Sequence, residues 1–208
     1  VIPEMESPVE WGGFFDTYTA KRNFEKRALP GYLPTCRWFG GKSRKAVSID
    51  VKRFPRIEVG DTPAYLLNIH IRYTDGLPET YFLPIILVTN AERIVKYLKN
   101  EPRSVICYLK TPEGEGILID AIYDEAFRNE LFWLIRNDRS VEVADGRLDF
   151  ESGKILRDLE IVKEDIASHV LRAEQSNTSV IYNDQFFFKI YRKLDTDINP
   201  DLELVRFL

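Results

Sequence analysis

The sequence predicts an α+β protein built as two successive sheet-and-helix units. Three observations carry this. Residues 47–73 contain runs that alternate apolar and polar side chains with period two. Residues 127–135 carry apolar residues at i, i+4, i+7 and i+8. The last thirty-six residues read as strands joined by polar turns and followed by a helix start. We expect a small antiparallel sheet with one helix over residues 1–100, and a second sheet with flanking helices over residues 101–208.

In chain order, residues 1–10 show no strong periodicity. The chain opens on Val1 and reads as a cut inside a longer polypeptide. Trp11, Phe15 and Tyr18 have helical spacing, which predicts a first helix towards Ala28, broken by Pro30-Gly31. The loop Arg37 to Arg44, RWFGGKSR, places an apolar Trp38-Phe39 pair among basic residues. Gly40-Gly41 is expected to turn there with positive φ. Such a loop is an anion or lid site, or an anchor; paired aromatics more often pack than bind, which favours the anchor.

Val47, Ile49 and Val51, then Leu67, Ile69, Ile71 and Tyr73, predict half-buried strands. Asp75-Gly76 turns the chain into a strand over 80–88, which Pro84 assigns to an edge or a bulge. Asn90 caps a short helix carrying Ile94, Val95 and Leu98. The second unit starts with a strand at 105–109, turns through Pro112 to Gly116 and returns at 117–119. Asp120 or Asp124 caps the helix of Phe127, Leu131, Leu134 and Ile135. A hairpin at 141–151 follows, and the final hairpin is expected to continue the same sheet.

Composition is that of an ordinary globular chain, with 44% apolar and 30% charged residues. No apolar run is long enough to span a bilayer and no signal peptide opens the chain, so a cytoplasmic location is expected, with no membrane partner. Twenty-nine basic against 33 acidic residues give a net charge of −4, which offers no general reason to expect nucleic acid. Basic residues outnumber acids in the first sixty positions, which reads as a solvated face or a docking surface. Cys36 and Cys107 have no metal-ligand spacing and read as free thiols. His70 and His169 read as structural, and no metal site is assigned.

The closing stretch carries the functional signal. Between Gln175 and Thr178 lies a polar turn, Asn183-Asp184 is a tight turn, and a strand covers 185–191. Period two puts Phe186, Phe188 and Ile190 on one face, with Phe187, Lys189 and Tyr191 on the other. Asn199 and Pro200 open a helix whose first turn carries Asp201 and Glu203. A strand lysine paired with a helix carboxylate beneath a hairpin loop is how the protein-kinase fold holds ATP phosphates. That reading gives Lys189 to the phosphates and Glu203 to orienting Lys189. Glycine is absent from the loop, so Ser176, Asn177, Thr178 and Ser179 are the candidate phosphate donors.

EQSNTSVIY, FKIYRKL and INPDLELVRFL closely resemble the nucleotide-binding lobe of the maltokinases. Leu29 to Arg44, LPGYLPTCRWFGGKSR, resembles the signature of the maltokinase N-terminal cap, and Val105 to Asn137 is similar more loosely. The resemblance covers most of the chain from about Leu29 to Leu208. It implies a cap followed by the N-terminal lobe of a kinase-like, aminoglycoside-phosphotransferase-like fold, and transfer of the ATP γ-phosphate to maltose. It also implies ATP and Mg2+ as cofactors of the complete enzyme, and fusion to a trehalose synthase, as in many bacteria. The acceptor-orienting carboxylate and the magnesium ligands would follow the Glu203 helix, so these 208 residues are expected to hold no catalytic group and to be inactive alone. The alternatives are a non-catalytic docking module of a trehalose synthase and a phosphotransferase acting on another small molecule.

Overall fold

The computed structural model describes residues 2–53, 55–143, 146–158, 160–171 and 176–194. The architecture is α+β, with one large sheet sandwiched between two apolar layers. In chain order the elements are β1 (Glu4–Glu6), α1 (Tyr18–Asn23), α2 (Leu29–Tyr32), β2 (Ala46–Arg53), β3 (Arg56–Val59) and β4 (Thr62–Tyr73). β5 (Glu79–Val88), α3 (Ala91–Asn100), β6 (Val105–Thr111), β7 (Gly114–Asp120) and α4 (Glu125–Arg136) complete the centre. Then come β8 (Ser140–Val143), β9 (Gly146–Asp149), α5 (Lys154–Asp158), β10 (Ser168–Val170), β11 (Asn177–Tyr182), β12 (Phe186–Tyr191) and β13 (Lys193–Leu194).

The eight-stranded sheet runs β1-β6-β7-β5-β4-β2, with β3 also on β4 and β13 also on β5. It crosses the division expected near residue 100, because β7 pairs with β5 from Val88↔Ile117 to Ile85↔Asp120. The final hairpin does not continue this sheet as expected. Instead β10-β11-β12 form their own three-stranded sheet and β8-β9 a two-stranded one. Among the described residues of this closing segment only β13 returns, pairing Lys193 with Tyr81 and Leu194 with Thr80.

Alternation along β4 and β5 builds both cores. Tyr65, Leu67, Ile69, Ile71, Tyr81, Leu83 and Ile85 face one core, which holds Trp11, Phe14, Phe24, Leu29, Trp38 and Phe39. Ala64, Leu66, Ile86 and Val88 face the other, shared with Phe127, Leu131, Val180, Tyr182 and Ile190. Strand side chains alternate sides, so a strand apolar at every position is covered on both.

Pro84 is not at an edge. β5 has β4 on one side and, on the other, β7 and β13 placed end to end. The Phe82 N–H donates to the Arg192 carbonyl at 2.7 Å, and Ile86 pairs with Ile119 of β7. By strand alternation the nitrogen of Pro84 points the same way, into the gap between those two partners, where no donor is needed.

The first helical segment also departs from expectation. Helix runs through Pro30-Gly31: α1 passes into a π-helical turn over Phe24–Ala28, then α2, then a 3-10 turn over Leu33–Thr35. The wide turn lies just ahead of Pro30, which supplies no N–H, and loosened helix of this kind relieves such a ring. Tyr18 is 77% exposed and does not share the buried face of Trp11 and Phe15. Gly40 and Gly41 lie in a 3-10 turn and are not among the positive-φ residues. Gly41 is required by proximity: a Cβ there would meet the Tyr73 hydroxyl and sit 2.7 Å from Phe39 Cζ.

Local signals that held include the Gly76 turn (φ 81°) and the Asn183-Asp184 turn (φ 49° and 53°). Asn90 accepts the Arg93 N–H at 3.0 Å. Both candidate aspartates cap: Asp120 accepts from Ile122 N at the turn before α4, and Asp124 accepts from Phe127 N at α4 itself. The β6-β7 turn is tighter than expected, with β7 already under way at Gly114.

Candidate functional site: the closing hairpin and the loop that holds it

β11 and β12 pair in full register, with Thr178↔Ile190, Ser179↔Lys189 and Val180↔Phe188. Phe186, Phe188 and Ile190 pack on the second core, while Phe187 is 59% exposed. The two faces read from the alternation are therefore present. Lys189 is half-buried, its Nζ 5.2 Å from the Tyr191 ring centroid, and cross-strand from Ser179. A cation over an aromatic face is attracted by the ring quadrupole.

The four polar residues of the turn do not act alike. Ser176 is exposed and Asn177 half-buried, but Asn177 and Thr178 already belong to β11 rather than to the turn. Thr178 faces the core and its hydroxyl accepts Arg192 Nε at 2.9 Å. Ser179 is fully buried, and its hydroxyl oxygen has no hydrogen-bond partner. Glu203, with the helix expected from Asn199-Pro200, lies outside the described residues.

Arg192 is the residue that sequence reasoning missed. It is wholly buried, the largest such side chain among the described residues. Its guanidinium reaches Asp120 through Nη2–Oδ2 at 2.7 Å and Nη1–Oδ1 at 3.4 Å, and lies 5.0 Å from the Trp38 ring. Burial pushes the Asp120 carboxyl up, and the guanidinium with the Ile122 N–H pulls it back. A buried charge in a strand-forming run needs a partner, but nothing in sequence spacing says that Asp120 supplies it.

Next to Arg192, Lys193 Nζ lies 3.1 Å from Glu79 Oε1, which also meets Arg44 at 3.2 Å. The hydroxyls of Tyr81 and Tyr73 donate to Glu79 Oε2 at 2.7 and 2.8 Å. Burial raises the Glu79 carboxyl, but these hydrogen bonds and Lys193 prevail and leave it below the ordinary value. The RWFGGKSR loop thus meets the closing segment at two places, with the Trp38 ring against the Arg192 guanidinium and Arg44 sharing the Glu79 carboxylate with Lys193. Trp38 and Phe39 are buried against Tyr81 at 5.9 and 5.1 Å between ring centroids. The loop is an anchor.

Residues 32–124 match the family model of the maltokinase N-terminal cap domain. The matched segment takes in the anchor loop, strands β2 to β7, α3 and the capping aspartate of α4, which relates this part of the chain to the maltokinases. The maltokinase cap match therefore ends where the large sheet hands over to α4, and Asp120 lies on the cap side of the ion pair to Arg192.

A cavity of about 270 Å³ lies between Tyr32 at the end of α2, Cys36, Trp38 of the anchor loop, Asp120 and the start of β11 at Asn177-Thr178. Lys189 does not line it. Pockets that hold drug-sized ligands measure about 300–1,000 Å³, so this one is small for a nucleoside triphosphate. Among the described residues no group of three or more His, Cys, Asp or Glu is placed to hold a metal ion, and no helix is long and apolar enough to cross a membrane.

Proposed function

We propose that this chain is the cap and the ATP-side lobe of a maltokinase, which converts ATP and maltose to ADP and maltose 1-phosphate. The observation that carries the reading is the cap-domain match over residues 32–124, followed along the chain by a hairpin that sets Lys189 opposite Ser179. Lys189 would neutralise the α- and β-phosphates, oriented by Glu203. Exposed Ser176 and the backbone at Asn177 would offer donors, while Thr178 and Ser179, both buried, would shape the strand beneath them. Mg2+ accompanies ATP in this chemistry, and we assign its ligands, like the acceptor-orienting carboxylate, to none of these residues. On this reading residues 1–208 are inactive alone. Covalent linkage to a trehalose synthase would supply the acceptor sugar close at hand, in the cytoplasm.

Phosphorus NMR of the full-length protein with ATP and maltose, with glucose and trehalose as controls, tests this. A maltose-dependent sugar 1-phosphate is expected; ATP intact with every sugar rejects the reading. Lys189→Ala should lower turnover about 100-fold, the loss of one preorganised electrostatic group. The burial of Thr178 and Ser179 favours a second reading, a docking module whose kinase-like hairpin is scaffold. Near-normal transfer by Lys189→Ala would favour it.

A further inference from the structure

We infer that the buried Arg192–Asp120 pair is a positioning device that sets the Lys189 hairpin on the cap, so that the cap fixes where the lysine stands. The inference rests on the proposed role of Lys189. Arg192 is three residues beyond Lys189, and its carbonyl is tied to Phe82 N of β5 at 2.7 Å. Its side chain grips the other strand of the hairpin as well, through Nε to the Thr178 hydroxyl at 2.9 Å, one residue from Ser179, which faces Lys189. The remaining contacts, to Asp120 and Trp38, belong to the segment that matches the cap. Arg192 therefore links the end of β12, which it follows in the chain, to β11 and to two separate pieces of the cap.

The pair stands at the gap in the sheet opposite Pro84, where β7 ends at Asp120 and the chain re-enters at Arg192. Apolar side chains could fill such a place. Replacing a buried ion pair with apolar residues of similar volume is often neutral or stabilising, so stability alone is weak reason for this arrangement. What the charges add is direction: a bidentate fork accepts one placement of its partner, whereas apolar contact tolerates sliding.

The experiment uses the full-length protein with Asp120→Leu/Arg192→Met, and Asp120→Asn as the milder companion. The double variant should still melt in one cooperative step, somewhat below wild type, because Asp120→Leu also removes the acceptor of the Ile122 N–H. Backbone amides of β11 and β12 should exchange about tenfold faster while those of β4 keep their rates, because the hairpin loses its tie and the sheet does not. KM for ATP should rise about tenfold, with KM for maltose unchanged. Unchanged exchange in the hairpin, or equal acceleration in β4, overturns the inference, as does an ATP KM that stays within twofold. Should the double variant fail to fold, Asp120→Asn is judged by the same criteria. A wild type that phosphorylates no sugar would sink the maltokinase reading instead, and the exchange rates would still decide whether the pair sets the hairpin.

Discussion

Glu25, in the π-helical turn between α1 and α2, accepts the backbone N–H of Val51 at 2.8 Å through Oε1. Its second oxygen takes Arg22 Nη1 at 3.0 Å, and the side chain is 5% exposed. One carboxylate thus fastens the helical layer to β2. Glu25→Ala strands a buried N–H and should cost about 1–3 kcal/mol, read from chemical denaturation. Glu58→Ala, in a pair with Arg56 whose members are 50% and 59% exposed, serves as control and should stay within about 0.5 kcal/mol. Equal losses would remove the special role of Glu25.

Gly41→Ala should destabilise by about 1–3 kcal/mol, since the added methyl overlaps Tyr73 and Phe39 in a packed core. In a Tyr73→Phe background part of that loss should return, because the nearest clash is with the hydroxyl. Gly13→Ala, where nothing lies within 4 Å, is the comparison. A harmless Gly41→Ala would show that the anchor loop yields.

Asp184→Gly should stabilise by a few tenths to about 1 kcal/mol, because φ 53° strains a residue with a Cβ. Asn183 is the wrong place for the same change. Its Oδ1 accepts the Ala167 N–H at 2.7 Å, a bond that glycine would delete. The two midpoints in denaturant should move in opposite directions.

Glu79 makes stability depend on pH. Its folded pKa lies below the unfolded one, so the ionised form stabilises the fold above the unfolded value, and that contribution is lost as pH falls through the folded value. The stability gap between wild type and Glu79→Gln should be widest near neutrality and shrink below the ordinary carboxylate range, about pH 4. Thermal melts from pH 3 to 7 measure it, and a gap that widens in acid would contradict the sign.

Burial pushes both Cys36 and Cys107 up to about 12. At pH 8 the thiolate fraction is then about one in ten thousand, so thiol reagents should label the native protein far more slowly than the unfolded one. Rapid labelling of the native protein at either position would show that its burial is transient.

What could be read from sequence was whatever residue type and neighbour spacing settle. The two faces of β12, the caps at Asn90 and Asp124, and the Gly76 and Asn183-Asp184 turns each depend on a handful of adjacent residues. Pro84 misled because a missing N–H signals an edge only when the neighbouring strand is continuous; here two strands meet end to end, and the gap between them needs no donor. Pro30 misled because a π-helical turn absorbed it. At the candidate site, the face that Lys189 shares with Phe187 and Tyr191 follows from alternation, while its place opposite Ser179 is set by the hairpin register, with Tyr182 paired to Phe186. Arg192 with Asp120 does not, since the pairing is made by the return of β13 to β5, a long-range event without a local pattern.

That return has a consequence for any polypeptide ending near residue 124. Leu194, Lys193 and Arg192 cover the backbone of Thr80, Tyr81 and Phe82. Without them a central strand, apolar on both faces, would show a short open rim of donors and acceptors, the template on which foreign strands dock and aggregates begin. The closing segment therefore also keeps the sheet from recruiting the wrong neighbour.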